Sequence, residues 1–360
     1  NIFNAFKYSI DGGSEISSGG LAYILANQIE KTNWDLSPIA VVSALSENQD
    51  QGDKKSLISL NSEIIKTAES HGLISVDLDL IFTGRETKPL HEALAATSFP
   101  YIDGITWNRE NAYEVIKNSG VKMMNNGRWR VLAEISQEEK SIILDAIVKF
   151  VSSSSKYKTA NLTENLIGYT YTLVDEDLRS QLRDAREFST LLNACGRTGM
   201  AGIGVGICMG DRYACLTEGE QIADTYREIL AKSISTILAE KWRTIDDGRS
   251  IFVNAENVLG EEMLGAVSSL LSGSPTLGDR VLSVWTRNRN SIHKFSLRKC
   301  LGCKSGSNLG LIVRNCAESV GGTGGGHKAA AGCKVPSSKL EDFVTCVRRA
   351  ILDSKFTNSS

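Results

Sequence analysis

Residues 321–332 read GGTGGGHKAAAG, and the fold is decided there. Five of the six residues from Gly321 to Gly326 are glycine. Glycine reaches positive φ and lets a ligand come close to the backbone. Successive N–H groups in such a turn can converge on an anion. His327 closes the run, where its imidazole can donate to a phosphate oxygen or stack on a base. The residues that follow, AAAG, are small and apolar and lead into a strand-like KVP at 334–336. A flexible linker would explain the glycines but not this ordered continuation. The segment reads as a ligand-holding loop set into an α/β domain.

Just upstream, the charge is unevenly placed. From Arg280 to Ala317 there are eight Lys or Arg and no acid, in a chain of 360 residues with a net charge of −2. Trp285, His293 and Phe295 are interleaved with the cations. Cations beside aromatic faces are what a groove for single-stranded nucleic acid needs; the plainer alternative is a solvated basic face. Eight cysteines occur, all from Cys195 onward. A disulfide framework is not expected in so long a chain without a secretory segment. Cys300 and Cys303 form a lone CxxC, short of four zinc ligands, so buried or idle thiols are expected.

Farther out, the chain is 41% hydrophobic and 23% charged, enough for two or three domains with real cores. No apolar run reaches the length of a membrane span, and a cytoplasmic protein is the expectation. Residues 17–31 read as a helix capped by Ser17 or Ser18, with Leu21, Ile24, Leu25 and Ile29 as its apolar stripe. The apolar run 38–45 ends in SENQDQGDKK, which suits either the rim of a site or a solvated loop. Helices are expected at 62–71, 88–96, 110–118 and 136–151, the last opened by Ser136 with Glu139 three residues on. The Ser-rich stretch 152–163 is the linker candidate. A helix over 181–195 leads to GIGVGICMG at 202–210, which does not fit GxGxxG; residues 201–208 read as a buried strand. A long helix follows at 217–243, with Ile222, Tyr226, Ile229, Leu230 and Ile234 on its apolar side, and a last helix at 337–353. Asp77 and Asp79 read as an exposed strand face rather than a metal pair.

Together these motifs resemble a known family. GGTGGGHKAAAG is similar to the GGGHxxAAG signature of DHHA1 domains, and KFSLR, with Ser296 and Arg298, resembles their SxR motif. RDAREFSTLLNACGR at 183–197 resembles a long motif of archaeal RecJ-like proteins, and its NACGR end resembles the NAAGR of bacterial RecJ. FTGRETKPLHEAL at 82–94, NNGRWRVLAEISQEEK at 125–140 and YSIDGGSEISSGGLAY at 8–23 extend the likeness over essentially the whole chain.

The resemblance implies an α/β protein. Residues 1–95 would be the remainder of a DHH-type parallel-sheet domain, 96–165 a mostly helical insert with the linker, 166–198 a connecting helix, and 199–355 the nucleic-acid-binding DHHA1 domain. It implies a metal-dependent exonuclease that hydrolyses phosphodiester bonds of single-stranded DNA or RNA in replication or repair. Two Mn²⁺ or Mg²⁺ ions held by Asp and His would activate water and stabilise the leaving oxygen. Ser296, Arg298, Gly324, Gly325, Gly326 and His327 would hold phosphate or the terminal nucleotide, with Asn193 and Arg197 beside the cleft. The insert would dock the replication factor GINS, as in relatives.

One departure bears on activity. No DHH triplet occurs in the sequence; the chain reads as a fragment without those motifs, inactive by itself. Where the family's last metal motif reads like ALGDMQD, residues 44–50 read ALSENQD. Glu47 stands in the place of a metal-binding Asp, with Asp50 as the substitute. Two alternatives stay open: a catalytically degenerate scaffold of the replicative helicase complex, and a phosphodiesterase for short oligonucleotides.

Overall fold

The computed structural model describes residues 3–98, 100–154, 162–288 and 290–353. The chain divides into two compact units, Asn1–Ala223 and Asp224–Ser360.

The first unit opens with three helices, α1 (Ser18–Ile29), α2 (Ser37–Ser46) and α3 (Leu60–Ser70). The Ser17 hydroxyl caps α1 by accepting from the Gly20 N–H. Helix α2 is apolar nearly all round, and Val41, Val42, Ala44 and Leu45 are buried. Strand β1 (Ile74–Leu80) follows. The helical part comes next, with α4 (Leu90–Ala96), α5 (Arg109–Ser119), the small hairpin β2 (Met124–Asn125) and β3 (Arg128–Trp129), α6 (Gln137–Ser154) and α7 (Leu162–Leu166). It has its own core, in which Leu94, Ile102, Ile105, Ile116, Leu132, Ile143 and Ile147 are fully buried. At the head of α6 the expected reciprocal cap is formed: Ser136 Oγ accepts from the Glu139 N–H at 3.2 Å, and Glu139 Oε2 accepts from the Ser136 N–H at 3.0 Å. Strand β4 (Ile167–Leu173) returns antiparallel to β1, with Ile74 opposite Leu173. Helices α8 (Ala185–Arg197) and α9 (Ala201–Cys208) complete this unit, and α10 (Ala214–Ala239) runs on into the second.

A network of charges is buried where β1 meets the helical part. Asp79, only 5% exposed, accepts from Arg85 Nη2 at 2.8 Å and from Lys140 Nζ at 2.6 Å. Arg85 also faces Glu86 at 3.3 Å and Asp184 at 3.9 Å. Glu187 accepts from the Glu86 N–H at 2.9 Å and the Thr87 hydroxyl at 2.7 Å. Burial, then the neighbouring Asp184 carboxylate, pushes the Glu187 carboxyl up from the ordinary 4.5 to about 7.

The second unit is a six-stranded mixed sheet in the order β5 (Thr244–Asp246), β6 (Ser250–Asn254), β7 (Val281–Arg287), β8 (Ile292–Lys299), β10 (Ala330–Pro336) and β9 (Thr323–Gly326). Only β6 and β7 pair in parallel. Helix α11 (Leu264–Ser272) lies against β7 and β8. Helices α12 (Leu309–Ser319) and α13 (Leu340–Asp353) pack with Phe295, Leu297, Ala331, Cys333 and Val335 in one core.

Several expectations are corrected. In residues 1–95 the parallel sheet is a single strand, β1, whose partner runs antiparallel. Residues 201–208 are helix, and only Gly204 and Ile207 are buried, so no continuous buried strand exists. The side-chain-free faces of Gly204 and Gly206 lie against α8 and Cys215, and this tertiary packing overrides the low helix propensity of glycine. In α1 the buried residues are Gly20 and Tyr23, while Leu25 and Ile29 of the expected stripe are 50% and 78% exposed. In α10 Tyr226 and Ile234 are buried but Ile229 is 42% exposed. Asp79 is buried in the ion-pair network, not on an exposed strand face. The Ser-rich linker is helical at both ends, in α6 and α7; residues 155–161 lie outside the described residues. Cys316 and Cys346 form a disulfide between α12 and α13. Of the free thiols Cys195, Cys300 and Cys333 are buried, and burial pushes Cys300 and Cys333 up to about 12. No helix among the described residues is long and apolar enough to cross a membrane.

Candidate nucleic-acid interface

The glycine run is not a loose loop. It forms β9, the edge strand of the sheet, and a tight connection into β10. Register places Gly325 opposite Gly332, Gly332 opposite Ser296, and Ala330 opposite Arg298. Side chains alternate along a strand, so these residues share one face. The other face, with Phe295, Leu297, Ala331 and Cys333, is sealed by α12 and α13. Helix α11 covers the first face only over β7 and β8. Over β10 and β9 the face stays open: Gly332, Lys334 and Thr323 are exposed.

Arg298 lies at the border of this open strip. Its Nε donates to Ser269 Oγ at 3.2 Å and its Nη1 to the Leu297 carbonyl at 3.0 Å. Beside it, the Ser296 and Ser268 hydroxyls are hydrogen-bonded at 2.7 Å. No carboxylate pairs with Arg298 among the described residues, and burial alone lowers its pKa. A half-buried guanidinium with only neutral partners has free donors and an uncompensated charge. An anion laid across Gly332 and Gly325 would meet both.

The glycines have separate tasks. Gly326 sits at φ 147, and a Cβ there would lie 2.4 Å from the Ala330 carbonyl oxygen, so it shapes the turn. Gly310, at the start of α12, approaches so near that a Cβ would lie 2.2 Å from the Gly326 oxygen. Gly324 faces the α12 core and is removed from the open strip. His327 is exposed. Its N–H donates to the Ala330 carbonyl at 2.7 Å, while its ring makes no hydrogen bond among the described residues. The structure thus brings Ser296, Arg298 and Gly325 together, with Gly326 and His327 at the turn.

The basic stretch is only partly an interface. Trp285, His293 and Phe295 are buried, not stacking platforms. Trp285 packs on Phe295 with ring centroids 5.7 Å apart, and His293 Nε2 lies 2.6 Å from Glu256. Arg280 pairs with Asp246 at 3.4 Å, and Lys299 donates to the Ser305 carbonyl at 2.7 Å. Arg289 lies outside the described residues. Lys334 and Gly332 were not singled out from sequence, although alternation from Ser296 and Arg298 across the strand pairs would have found them. Ser268 and Ser269 come from α11, and no local motif marks them.

Asn193 and Arg197 belong to the first unit, on α8, where Asn193 Nδ2 lies 3.5 Å from the Ser46 carbonyl. Next to Ser46, Glu47 ends α2 as an exposed residue. Asp50 does not share a helical face with it, because Asn48 at φ 55 breaks the helix. Asp50 is held by Arg186 Nη2 at 3.0 Å, and Gln49 between them is buried, donating to the Gly12 and Ile16 carbonyls. Among the described residues no three His, Cys, Asp or Glu are grouped to hold a metal ion. The described residues around Glu47 do not by themselves make up a two-ion centre.

Comparison with known proteins agrees with this architecture. Residues 82–165 match the DHH-CID domain model, and residues 248–353 match the DHHA1 domain model. An uncharacterized protein of Methanocaldococcus jannaschii is 26% identical over 352 residues, covering 97% of this chain and 70% of that protein. CDC45 from Entamoeba histolytica shares the fold at a TM-score of 0.56 and 11% identity, over 93% of this chain and 72% of that one. RecJ in complex with Mg²⁺ from Thermus thermophilus superposes at a TM-score of 0.45 and 12% identity, over 89% of this chain and 35% of that one. Residues 82–165 are thus a helical DHH-CID domain, and residues 248–353 a DHHA1 domain, a mixed sheet whose GGGH and SxR residues meet across β8, β10 and β9.

Proposed function

We propose that the chain holds single-stranded DNA or RNA on the open strip of the DHHA1 sheet, as the substrate-gripping part of a RecJ-like exonuclease dependent on Mn²⁺ or Mg²⁺. The observation that carries this reading is the Arg298 guanidinium, unneutralised and half-buried beside exposed Gly332. Its free N–H groups would donate to a phosphate oxygen. The glycines let the strand approach, and exposed His327 and Lys334 would add a donor and a second charge. The test is binding of a labelled oligonucleotide to the Arg298→Ala variant at low salt. We expect a loss of about 1–3 kcal/mol, the worth of a charge-assisted hydrogen bond. Affinity equal to the parent's removes Arg298 from the site.

A second reading is a catalytically degenerate scaffold within a replication complex, with the insert docking GINS. It is favoured by the surroundings of Glu47, where Asp50 is already paired with Arg186. A phosphodiesterase for short oligonucleotides is the third. Mn²⁺-dependent release of nucleotides from long and short single strands separates the three: long strands degraded, short ones only, or neither.

A further inference from the structure

Away from the DHHA1 sheet, the first unit carries a cleft of about 730 Å³ beside the β2–β3 hairpin. Lys122, Arg128, Arg130 and Arg179 line it, with Glu134 as the one acid among the lining residues. The hairpin turn is Asn126-Gly127, at φ 49 and 79, the left-handed pair of a two-residue type I′ connection. Arg128 therefore stands on a short ribbon of fixed shape.

Two of the four cations are held in place. Both terminal nitrogens of Arg130 donate to Glu139, at 2.8 and 2.7 Å. This pairing is tight enough to pull the Glu139 carboxyl down to about 2. Arg179 donates to Glu134 through Nε at 2.7 Å and Nη2 at 2.6 Å, and to the Trp129 carbonyl at 2.9 Å, from a backbone at φ 64. Lys122 and Arg128 are exposed and have no ion pair among the described residues. Two carboxylates thus offset four cations, and two charges remain over a concave surface. Trp129, on the same ribbon but not among the residues that line the cleft, is 38% exposed, and His91 packs against its ring with centroids 5.0 Å apart.

We infer that this cleft binds the phosphate backbone of single-stranded nucleic acid, as a second contact in addition to the DHHA1 strip. Arg130 spends its terminal N–H groups on Glu139 and on the Lys122 and Glu134 carbonyls, but Arg179 keeps Nη1 without a hydrogen bond among the described residues, and with the exposed Arg128 and Lys122 it suits phosphate oxygens. The neutral amides of Asn125 and Asn126 at the rim add donors, and the part of the Trp129 indole that His91 leaves open beside the cleft offers a base a contact face. An acidic peptide would use the cations but leave the indole without a role. The inference rests on residues of the first unit alone, so it can fail while the DHHA1 reading stands.

The test uses the whole chain and a fluorescent oligothymidylate, with affinity read by anisotropy across a salt titration. Lys122→Ala with Arg128→Ala is made in the parent and in the Arg298→Ala background, and circular dichroism checks the fold. In both backgrounds we expect affinity to fall about tenfold at low salt. We also expect the slope of log affinity against log salt to become shallower by about 1.4, two phosphate contacts at roughly 0.7 each. Trp129→Ala should weaken binding too, and Trp129→Phe should restore it. Unchanged affinity and slope in both backgrounds overturn the inference, whatever Arg298→Ala does. Displacement of the oligonucleotide by polyglutamate at equal charge, with Trp129→Ala silent, also overturns it, in favour of an acidic peptide.

Discussion

Glu187→Gln removes a carboxylate that the first unit buries beside Asp184 and Glu86. In the folded protein this carboxyl releases its proton near pH 7, against 4.5 ordinarily. Below about pH 4.5 it is protonated in both folded and unfolded chains and costs nothing. Between the two values the folded protein keeps a proton that the unfolded chain has released, so stability falls as pH rises. Above about pH 7 the full cost is present. At about 1.4 kcal/mol per pH unit, that cost approaches roughly 3 kcal/mol as a ceiling. Glutamine has no such dependence. It keeps an acceptor for the Glu86 N–H or the Thr87 hydroxyl but not for both, a fixed loss of about 1 kcal/mol at every pH. The other charged groups of the network are common to both proteins. Thermal or urea unfolding of parent and variant from about pH 4.5 to pH 8 reads the difference directly. The variant should start slightly less stable and gain on the parent as pH rises. A gain near the ceiling is about 6–12 °C in Tm for a unit of this size. A stability difference that is flat across this range, or that moves against the variant, refutes the reasoning.

Gly326→Ala should destabilise the second unit by more than about 1 kcal/mol and weaken oligonucleotide binding, because φ 147 and the Ala330 oxygen leave no room for a methyl group; unfolding and binding curves matching the parent's would contradict the account of the turn. The chain by itself should release no nucleotides from single strands in Mn²⁺, since no three metal-ligating side chains are grouped among the described residues and Asp50 is paired with Arg186. Where the chain acts together with a segment that carries the DHH motifs, Glu47→Asp should keep or raise Mn²⁺-dependent turnover, while Glu47→Ala should lower it at least about tenfold, about 1.4 kcal/mol of barrier. If neither change alters turnover or Mn²⁺ affinity, Glu47 has no part in the site.

The sequence is most legible where local chemistry decides the outcome. Ser17 and Ser136 mark their helix starts because a cap is satisfied within three residues. Ser296 and Arg298 carry their motif because both lie on one strand and keep a fixed face. It is least legible where distant partners decide. The glycines of 201–208 alternate as in a strand, yet α8 and Cys215 pack onto their bare faces and hold a helix. Trp285 and Phe295 look like stacking residues beside cations, but strand alternation turns them into the core while Arg298 faces the other way. Asp79 follows the alternation of an exposed strand, and only Arg85 and Lys140, the latter contributed by α6, show why it is buried.

Asp79 lies on β1, but its cations come from the helical part: Arg85 from just ahead of α4, and Lys140 from α6. The insert has a complete apolar core and would pass for a free-standing module. Its charge, however, is balanced outside itself. Cut out alone, it would keep Arg85 with only Glu86 beside it and bury the Lys140 ammonium without its carboxylate, and the strand left behind would keep a naked carboxylate. A transplanted insert should therefore keep its stability only where the receiving strand supplies a carboxylate at the position of Asp79.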